Sequence, residues 1–183
     1  MAHTIVIGDG PGGLSAALFL AKNGEDVTVF GTDETAMHYA LLSNYLGIPK
    51  ISGTGFQRIA RSQAEAAGAV LRNDRVASVA TSDSGFTASL ENGETVAGDY
   101  LVLSEGRNPE LATSLGVEAT EDGIATDREG RSSVAGVYVI GRAARPKRSQ
   151  AIISAGAGAV AAIDILSTER ATDVQDWDSL PKD

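Results

Sequence analysis

A glycine-rich segment near the start of the chain constrains the fold more than any other feature. It has the sequence Gly8-Asp-Gly-Pro-Gly-Gly13 and follows a short apolar run, residues 4–7, that is rich in β-branched side chains. Residues 14–23 have helical character and end at Gly24, and residues 26–30 form a second apolar run. Strand, glycine turn, helix and strand within about 30 residues are typical of a βαβ unit with parallel strands. We therefore predict an α/β fold that begins with a Rossmann-like unit.

Three of these glycines, Gly8, Gly10 and Gly13, match the G-x-G-x-x-G spacing of nucleotide-binding turns. The first glycine permits the tight turn, the second lets the backbone approach a pyrophosphate, and the third lets the helix pack closely on the strand. The N-terminus of the helix then offers free N–H groups and the positive end of its dipole to an anion. The segment predicts a pyrophosphate site, and the alternative is a tight turn that binds nothing.

The same fingerprint includes an acidic residue at the end of the second strand, where it holds the hydroxyl groups of a ribose. This chain has Gly31 at that position, and Asp33 and Glu34 follow. We interpret Asp33 as the candidate ribose contact. The alternative is a surface loop that happens to contain two acids.

The rest of the chain continues the α/β pattern and adds an antiparallel unit. Residues 31–53 have no clear period and predict a functional loop with one helical turn. Beyond the loop we predict helices over 55–67 and 149–166, strands over 69–72, 76–81, 100–104 and 136–141, and a hairpin of 86–90 with 95–97 around Asn92-Gly93. The predicted architecture is a parallel sheet flanked by helices, with a small antiparallel β-meander. One domain covers 1–170, and a loose C-terminal tail covers 171–183.

Charge and hydropathy bear on partners and location. The chain has 15 Lys and Arg against 24 Asp and Glu, a net charge of −9. This balance argues against nucleic acid and against anionic membrane surfaces, because both require clustered basic side chains. It also suits a salt-rich, halophilic cytoplasm, with an ordinary acidic protein as the alternative. We find no run of about 18 apolar residues and no secretory signal, so we expect a cytoplasmic protein.

The chain contains no cysteine and only two histidines. The missing cysteines exclude disulfides, thiolate metal sites and dithiol redox chemistry. Two histidines are too few for a histidine-based metal site, so we predict no metal centre.

Five segments, in chain order, carry a resemblance to a known family. They are Ile5-Val-Ile-Gly-Asp-Gly-Pro-Gly-Gly-Leu-Ser-Ala-Ala17, Val29-Phe-Gly-Thr-Asp33, Asn44-Tyr-Leu-Gly-Ile-Pro49 with Ile51-Ser-Gly53, Gly130-Arg-Ser-Ser-Val-Ala-Gly-Val-Tyr-Val-Ile-Gly141, and Ser149-Gln-Ala-Ile-Ile-Ser-Ala-Gly-Ala-Gly158. They resemble the two FAD motifs, the loop and the flavin-facing helix of the thioredoxin reductases, which are pyridine nucleotide-disulfide oxidoreductases. The matches span nearly the whole chain, from Thr4 to about Arg170.

The resemblance implies an FAD-binding domain with FAD as cofactor, and a homodimer, since the family commonly pairs through these domains. We assign no catalytic residue. The cofactor-binding candidates are Gly8, Gly10, Pro11, Gly12, Gly13, Gly31, Asp33, Asn44, Gly106, Gly141, Arg142, Gln150 and Ala151.

The departures from the family pattern shape the functional prediction. The family inserts a nicotinamide-binding domain with a cysteine pair, and here residues 101–110 serve as both ends of that insertion. Arg142 stands where the family has Asp, and Ser149 where it has Arg. We therefore predict a flavoprotein whose redox chemistry lies in the flavin, reduced by a diffusible reductant or a partner protein. The alternative is a non-catalytic, degenerate FAD domain that acts as a dimeric or regulatory module. A one-domain nicotinamide binder is a weaker alternative.

Overall fold

The computed structural model describes residues 1–179 and contains twelve strands and four α-helices in that range. The strands, in chain order, are β1 (His3–Ile7), β2 (Asp26–Phe30), β3 (Leu41–Leu42), β4 (Ile51–Ser52), β5 (Val70–Arg72), β6 (Val76–Ser82), β7 (Gly85–Leu90), β8 (Thr95–Gly98), β9 (Tyr100–Leu103), β10 (Ala119–Thr120), β11 (Gly123–Ile124) and β12 (Val137–Val139). The helices are α1 (Pro11–Lys22), α2 (Gly53–Ala66), α3 (Glu110–Ser114) and α4 (Ala151–Glu169), with short 3₁₀ turns over Ala36–Tyr39 and Pro146–Arg148.

A five-stranded parallel sheet forms the centre of the fold, in the order β12-β9-β1-β2-β5. Val6 of β1 lies opposite Val29 of β2 on one side and Val102 of β9 on the other. Strands β1, β2 and β9 are largely buried on both faces, which explains why the sequence shows continuous apolar runs there instead of alternation. All five strands end at the same edge of the sheet, and this edge carries the candidate site.

The two faces of the sheet are covered differently. Val6 of β1 contributes to a core shared with α1, α2 and α4, whereas Ile5 and Ile7 contribute to a core on the opposite face. That second core includes Phe86 and Leu90 of the antiparallel β6-β7-β8 meander. The predicted α/β class, with a parallel sheet, flanking helices and an antiparallel meander, is confirmed.

Helices α1 and α4 cross at close range because glycine occupies the contact. A Cβ atom at Gly158 of α4 would overlap the carbonyl oxygen of Gly12 and lie 3.0 Å from the backbone nitrogen of Ala16. Gly156, two residues earlier, has no neighbour within 4 Å of its Cβ position. The close approach of the two helices therefore occurs at Gly158 and not at Gly156.

Helix α4 corrects one sequence prediction. Among residues 1–179 it is the one helix that is long and apolar enough to cross a bilayer, with a mean hydropathy of 1.7, so the prediction that no segment has this composition was wrong. Ile165 and Leu166 of α4 are fully buried in the core beside α1. The core helix of a folded protein can meet the same criteria of length and composition as a membrane span, and 33% of the apolar window of α4 is buried.

The element boundaries differ from the predictions in ways that have physical causes. Helix α1 begins at Pro11, three residues before the predicted start, because the first helical position needs no N–H donor. The predicted helical turn in the 31–53 loop is the 3₁₀ turn Ala36–Tyr39. Helix α3 and the two-stranded β3-β4 and β10-β11 ladders were not predicted, because segments this short carry no periodic signal.

The segment that follows α4 runs over the surface of α1. Val174 packs against the core, and its backbone N–H donates to Ser167 Oγ at 3.0 Å. Lys22 of α1 pairs with Asp176 at 3.2 Å, whereas Trp177 is exposed. Contacts thus hold part of the tail predicted to be loose over 171–183, and residues 180–183 of that tail lie outside the described residues.

Candidate functional site

A cavity of about 700 Å³ opens at the edge where the parallel strands end. The glycine turn after β1, the loop after β2 and the loop after β9 form its walls, together with the residues between β12 and α4. Nine of the thirteen candidate binding residues line it: Gly8, Gly10, Pro11, Gly12, Gly31, Gly106, Gly141, Arg142 and Ala151. The other four, Gly13, Asp33, Asn44 and Gln150, lie outside the lining. Ligands of open α/β sheets bind at this edge of the sheet.

The glycine turn has the backbone geometry that its sequence suggests. Gly8 has φ +100°, and a Cβ there would overlap the carbonyl oxygen of Ser104. A Cβ at Gly13 would overlap the carbonyl oxygen of Gly8, so α1 packs closely on β1. Gly10 caps α1, and its Cβ position has only Thr35 Oγ1 nearby, at 3.8 Å. Space therefore remains on the cavity side of Gly10.

The start of α1 presents free donors to the cavity. Within residues 1–179, no group accepts a hydrogen bond from the backbone N–H of Gly10, Gly12 or Gly13. Pro11, at the first turn of the helix, has no N–H to satisfy. Free N–H groups and the helix dipole together favour an anion at this position.

Asp9, the residue between the first two glycines, is the main functional candidate that the sequence reasoning missed. Its side chain is buried and forms an ion pair with Arg61 of α2. Its Oδ2 also accepts a hydrogen bond from the Asp33 backbone N–H at 3.0 Å, and its carbonyl oxygen accepts one from Gln57 at 2.5 Å. The signal in the sequence was an acid at a variable position of the glycine pattern.

Asp33 does not line the cavity, and its side chain lies beside His38. It adopts φ +59°, a left-handed conformation that is unusual for any residue other than glycine. His38 Nε2 donates to the Asp33 carbonyl oxygen at 2.7 Å and lies 3.1 Å from its Oδ1. Glu34 lines the cavity instead and pairs with Arg75.

The far end of the cavity contains the residues after β12. Gly141 has φ +66°, and its Cβ position would lie 3.6 Å from the hydroxyls of Ser104 and Ser154. Arg142 is exposed on the cavity wall and forms no hydrogen bond or ion pair with the described residues. Beside this end, Asn44 Nδ2 donates to Gln150 Oε1 at 3.1 Å, which joins the 31–53 loop to the start of α4.

Glu105 is a second cavity residue that the sequence did not single out. Its carboxylate accepts hydrogen bonds from the backbone N–H groups of Leu111 and Ala112, at 2.8 and 3.0 Å, and so caps the short helix α3. Burial raises the pKa of this carboxyl above its ordinary value, and the two amide hydrogen bonds oppose the rise.

The charges on the wall are mixed. Three arginines line the cavity, namely Arg75, Arg107 and Arg142, along with six acids, namely Asp9, Glu34, Asp74, Glu91, Glu105 and Glu110. Ion pairs engage Arg75, Asp9, Glu34 and Asp74. Within residues 1–179, no cluster of three or more acid, histidine or cysteine side chains has the geometry to hold a metal ion.

The family characterised as pyridine nucleotide-disulphide oxidoreductase matches residues 50–159 of this sequence. The chain belongs to this family. Thioredoxin reductase 2 of Arabidopsis thaliana is 30% identical over 168 residues, which cover 87% of this chain and 40% of that protein. The chain therefore spans less than half the length of this oxidoreductase.

Solved oxidoreductase structures share the fold. A thioredoxin reductase from Gloeobacter violaceus superposes with a TM-score of 0.86 at 18% identity, over 97% of this chain and 99% of that one. The thioredoxin reductase of T. acidophilum gives a TM-score of 0.84 at 15% identity, over 93% of this chain and all of that one, 100%. The resemblance to a thioredoxin reductase-like FAD domain is confirmed at the level of family and fold.

Proposed function

We propose that this chain binds FAD at the edge of the parallel sheet and serves as a flavoprotein oxidoreductase. The observation that carries the proposal is the glycine turn, whose free N–H groups at the start of α1 face a cavity that continues to Gly141 and Arg142. The cavity volume of about 700 Å³ is within the range of roughly 300–1,000 Å³ typical of small-molecule and cofactor sites. The residues present thus fit an extended dinucleotide.

Residues of the cavity wall and residues beside it have distinct roles in this proposal. The N–H groups of Gly10 and Gly12 would hold the diphosphate, with Arg142 as an unpaired cation on the same cavity wall. The hydrogen-bonded pair of Asn44 and Gln150 would fix the loop beside the flavin end. Bound FAD would supply the electron-transfer chemistry, and the protein would position it and exclude water.

The short connection between β9 and α3 supports our proposal for the source of electrons. Only residues 104–109 connect them, so no second nucleotide-binding domain is inserted there. The chain also has no cysteine. We therefore propose a diffusible reductant or a partner protein as electron donor, and a homodimer, by resemblance to the family, as the assembly. A cytoplasmic location stays a prediction.

A flavin titration tests the proposed function. FAD added to the purified protein is expected to lose fluorescence on binding, and FMN is expected to bind much more weakly because it lacks the adenosine half. Anaerobic NADPH is expected to reduce the bound flavin slowly and without saturation, because nothing inserted after β9 positions a nicotinamide ring. Rapid, saturable reduction by NADPH would contradict the proposed electron source.

The non-catalytic alternative has one observation in its favour. Six acids line the cavity against three arginines, which opposes the binding of an anionic dinucleotide. On this alternative the domain acts as a dimeric or regulatory module without a cofactor. A protein that stays colourless and shows no heat of binding with FAD would favour it over the flavoprotein.

Arg142 provides a direct test of the phosphate end. Replacing Arg142 with alanine is expected to weaken FAD binding about tenfold, at the low end for a charge-assisted contact, because the side chain is exposed. Calorimetric titrations at low and high salt should show this loss shrinking as salt rises. Arg145→Ala is the matched control, since Arg145 is also exposed but does not line the cavity. Equal affinities for the wild type and the Arg142 variant would remove the proposed role.

A further inference from the structure

Gly31 at the end of β2 has no room for a side chain. A Cβ atom built there would overlap Cβ, Cγ and Oδ1 of Asp9. The Asp9 carboxyl group therefore occupies the space that an acidic side chain at position 31 would fill. In the nucleotide-binding fingerprint an acid at this position holds the hydroxyls of a ribose.

The surroundings of Asp9 hold its carboxylate in one orientation. Oδ2 forms an ion pair with the Arg61 guanidinium and accepts a hydrogen bond from the backbone N–H of Asp33. Gln57, which is 1% exposed, donates to the Asp9 carbonyl oxygen and so fixes the backbone of the same residue. Oδ1 has no hydrogen-bond partner among the described residues and is not one of the fully enclosed polar atoms. One carboxylate oxygen is thus anchored, and the other is available on a residue that lines the cavity.

We propose that Asp9 replaces the missing strand-end acid and that its Oδ1 accepts a hydrogen bond from a hydroxyl of the adenosine ribose. The proposal rests on the proposed nucleotide site and deepens it by assigning the ribose contact. In this arrangement the acid reaches the subsite from the glycine turn instead of from β2. Gly31 is then required because a side chain there would displace Asp9.

The two neighbouring acids are less suited to this contact. The Asp33 side chain is directed toward His38 and does not line the cavity. Glu34 lines the cavity but is paired with Arg75. Asp9 is the acid that combines a fixed position, a free oxygen and the location expected of the ribose-binding group.

Nucleotide analogues test this assignment without any mutation. The wild type is expected to bind ADP about tenfold more tightly than 2′-deoxy-ADP or 3′-deoxy-ADP, because a buried acceptor loses its hydroxyl partner when the analogue binds. Isothermal titration calorimetry measures the three affinities. Equal affinities for ADP and both analogues would overturn the proposal.

Variants then locate the acceptor. Asp9→Ala is expected to abolish the discrimination between ADP and its deoxy analogues, whereas Asp33→Asn, the matched control, should retain it. A double variant, Asp9→Gly with Gly31→Glu, returns the acid to the strand end and is expected to restore the discrimination. Far-UV circular dichroism verifies that each variant is folded. Discrimination that persists in a folded Asp9→Ala protein would overturn the assignment.

The outcomes separate this inference from the proposed function. If FAD binds and the wild type binds ADP and both deoxy analogues with equal affinity, the ribose assignment alone fails. If ADP shows the expected discrimination but FAD does not bind, the ribose assignment is supported and the flavoprotein proposal fails. If neither ADP nor FAD binds, both fail.

Discussion

Replacing Gly10 with valine is expected to lower the affinity for FAD at least about 100-fold while the chain remains folded. The Cβ position of Gly10 has one neighbour within 4 Å, Thr35 Oγ1 at 3.8 Å, so the fold has space for the new side chain. That space is the cavity in front of α1, where a diphosphate would meet the free N–H groups. Loss of two charge-assisted hydrogen bonds corresponds to roughly 3 kcal/mol or more, or about two orders of magnitude in affinity.

The Gly10 experiment needs a control for the substitution itself. Gly156→Val introduces the same side chain at an open position of α4 that does not line the cavity, and it should leave FAD affinity unchanged. Thermal unfolding of both variants should show that neither has collapsed. A folded Gly10→Val protein with wild-type affinity would place the cofactor elsewhere.

The parts of the fold that the sequence predicted correctly depend on local signals. The apolar runs of β1, β2 and β9 predict buried parallel strands because both faces of each strand are covered. The glycine spacing predicts the conformation of the turn, because Gly8 adopts a positive φ and Gly13 approaches the backbone of Gly8. Signals of this kind need no knowledge of distant residues.

The parts that the sequence did not predict depend on contacts between distant positions. Asp9 meets Arg61, 52 residues later, and nothing local to either residue indicates the pair. Glu105 caps a five-residue helix that has no periodic pattern of its own. The loop acid Asp33 was chosen as the ribose contact from chain order, and its left-handed backbone directs the side chain to His38 instead.

Two departures that look independent in the sequence are coupled in space. The sequence alone shows an acid at position 9 and no acid at position 31, with 21 residues between them. The structure shows that the Asp9 carboxyl group and a Gly31 side chain would compete for one volume. A comparison with a sequence pattern treats positions 9 and 31 separately. That the Asp9 carboxyl group occupies the place of a strand-end acid can be recognised only in the folded chain, where the glycine turn lies beside the end of β2.

Two glycines of α4 are expected to respond in opposite directions to the same substitution. Gly156→Ala should stabilise the protein by about 0.5–1 kcal/mol, because alanine favours the helix and the position is open. Gly158→Ala should destabilise it by about 1–3 kcal/mol, because the new methyl group would overlap the Gly12 carbonyl oxygen and separate α4 from α1. The overlapped atom belongs to the backbone of Gly12, and a backbone atom cannot move aside as easily as the end of a flexible side chain.

Equilibrium unfolding in urea measures the difference between the two variants, which we expect to be about 3 kcal/mol, or on the order of 6–12 °C in Tm for a chain of this size. The Gly158 variant should also bind FAD more weakly, since Gly12, which it displaces, belongs to the glycine turn. The Gly156 variant should bind as the wild type does. Equal stabilities of the two variants would show that α4 can move away from α1 without loss, and the close crossing would then have no part in holding the turn.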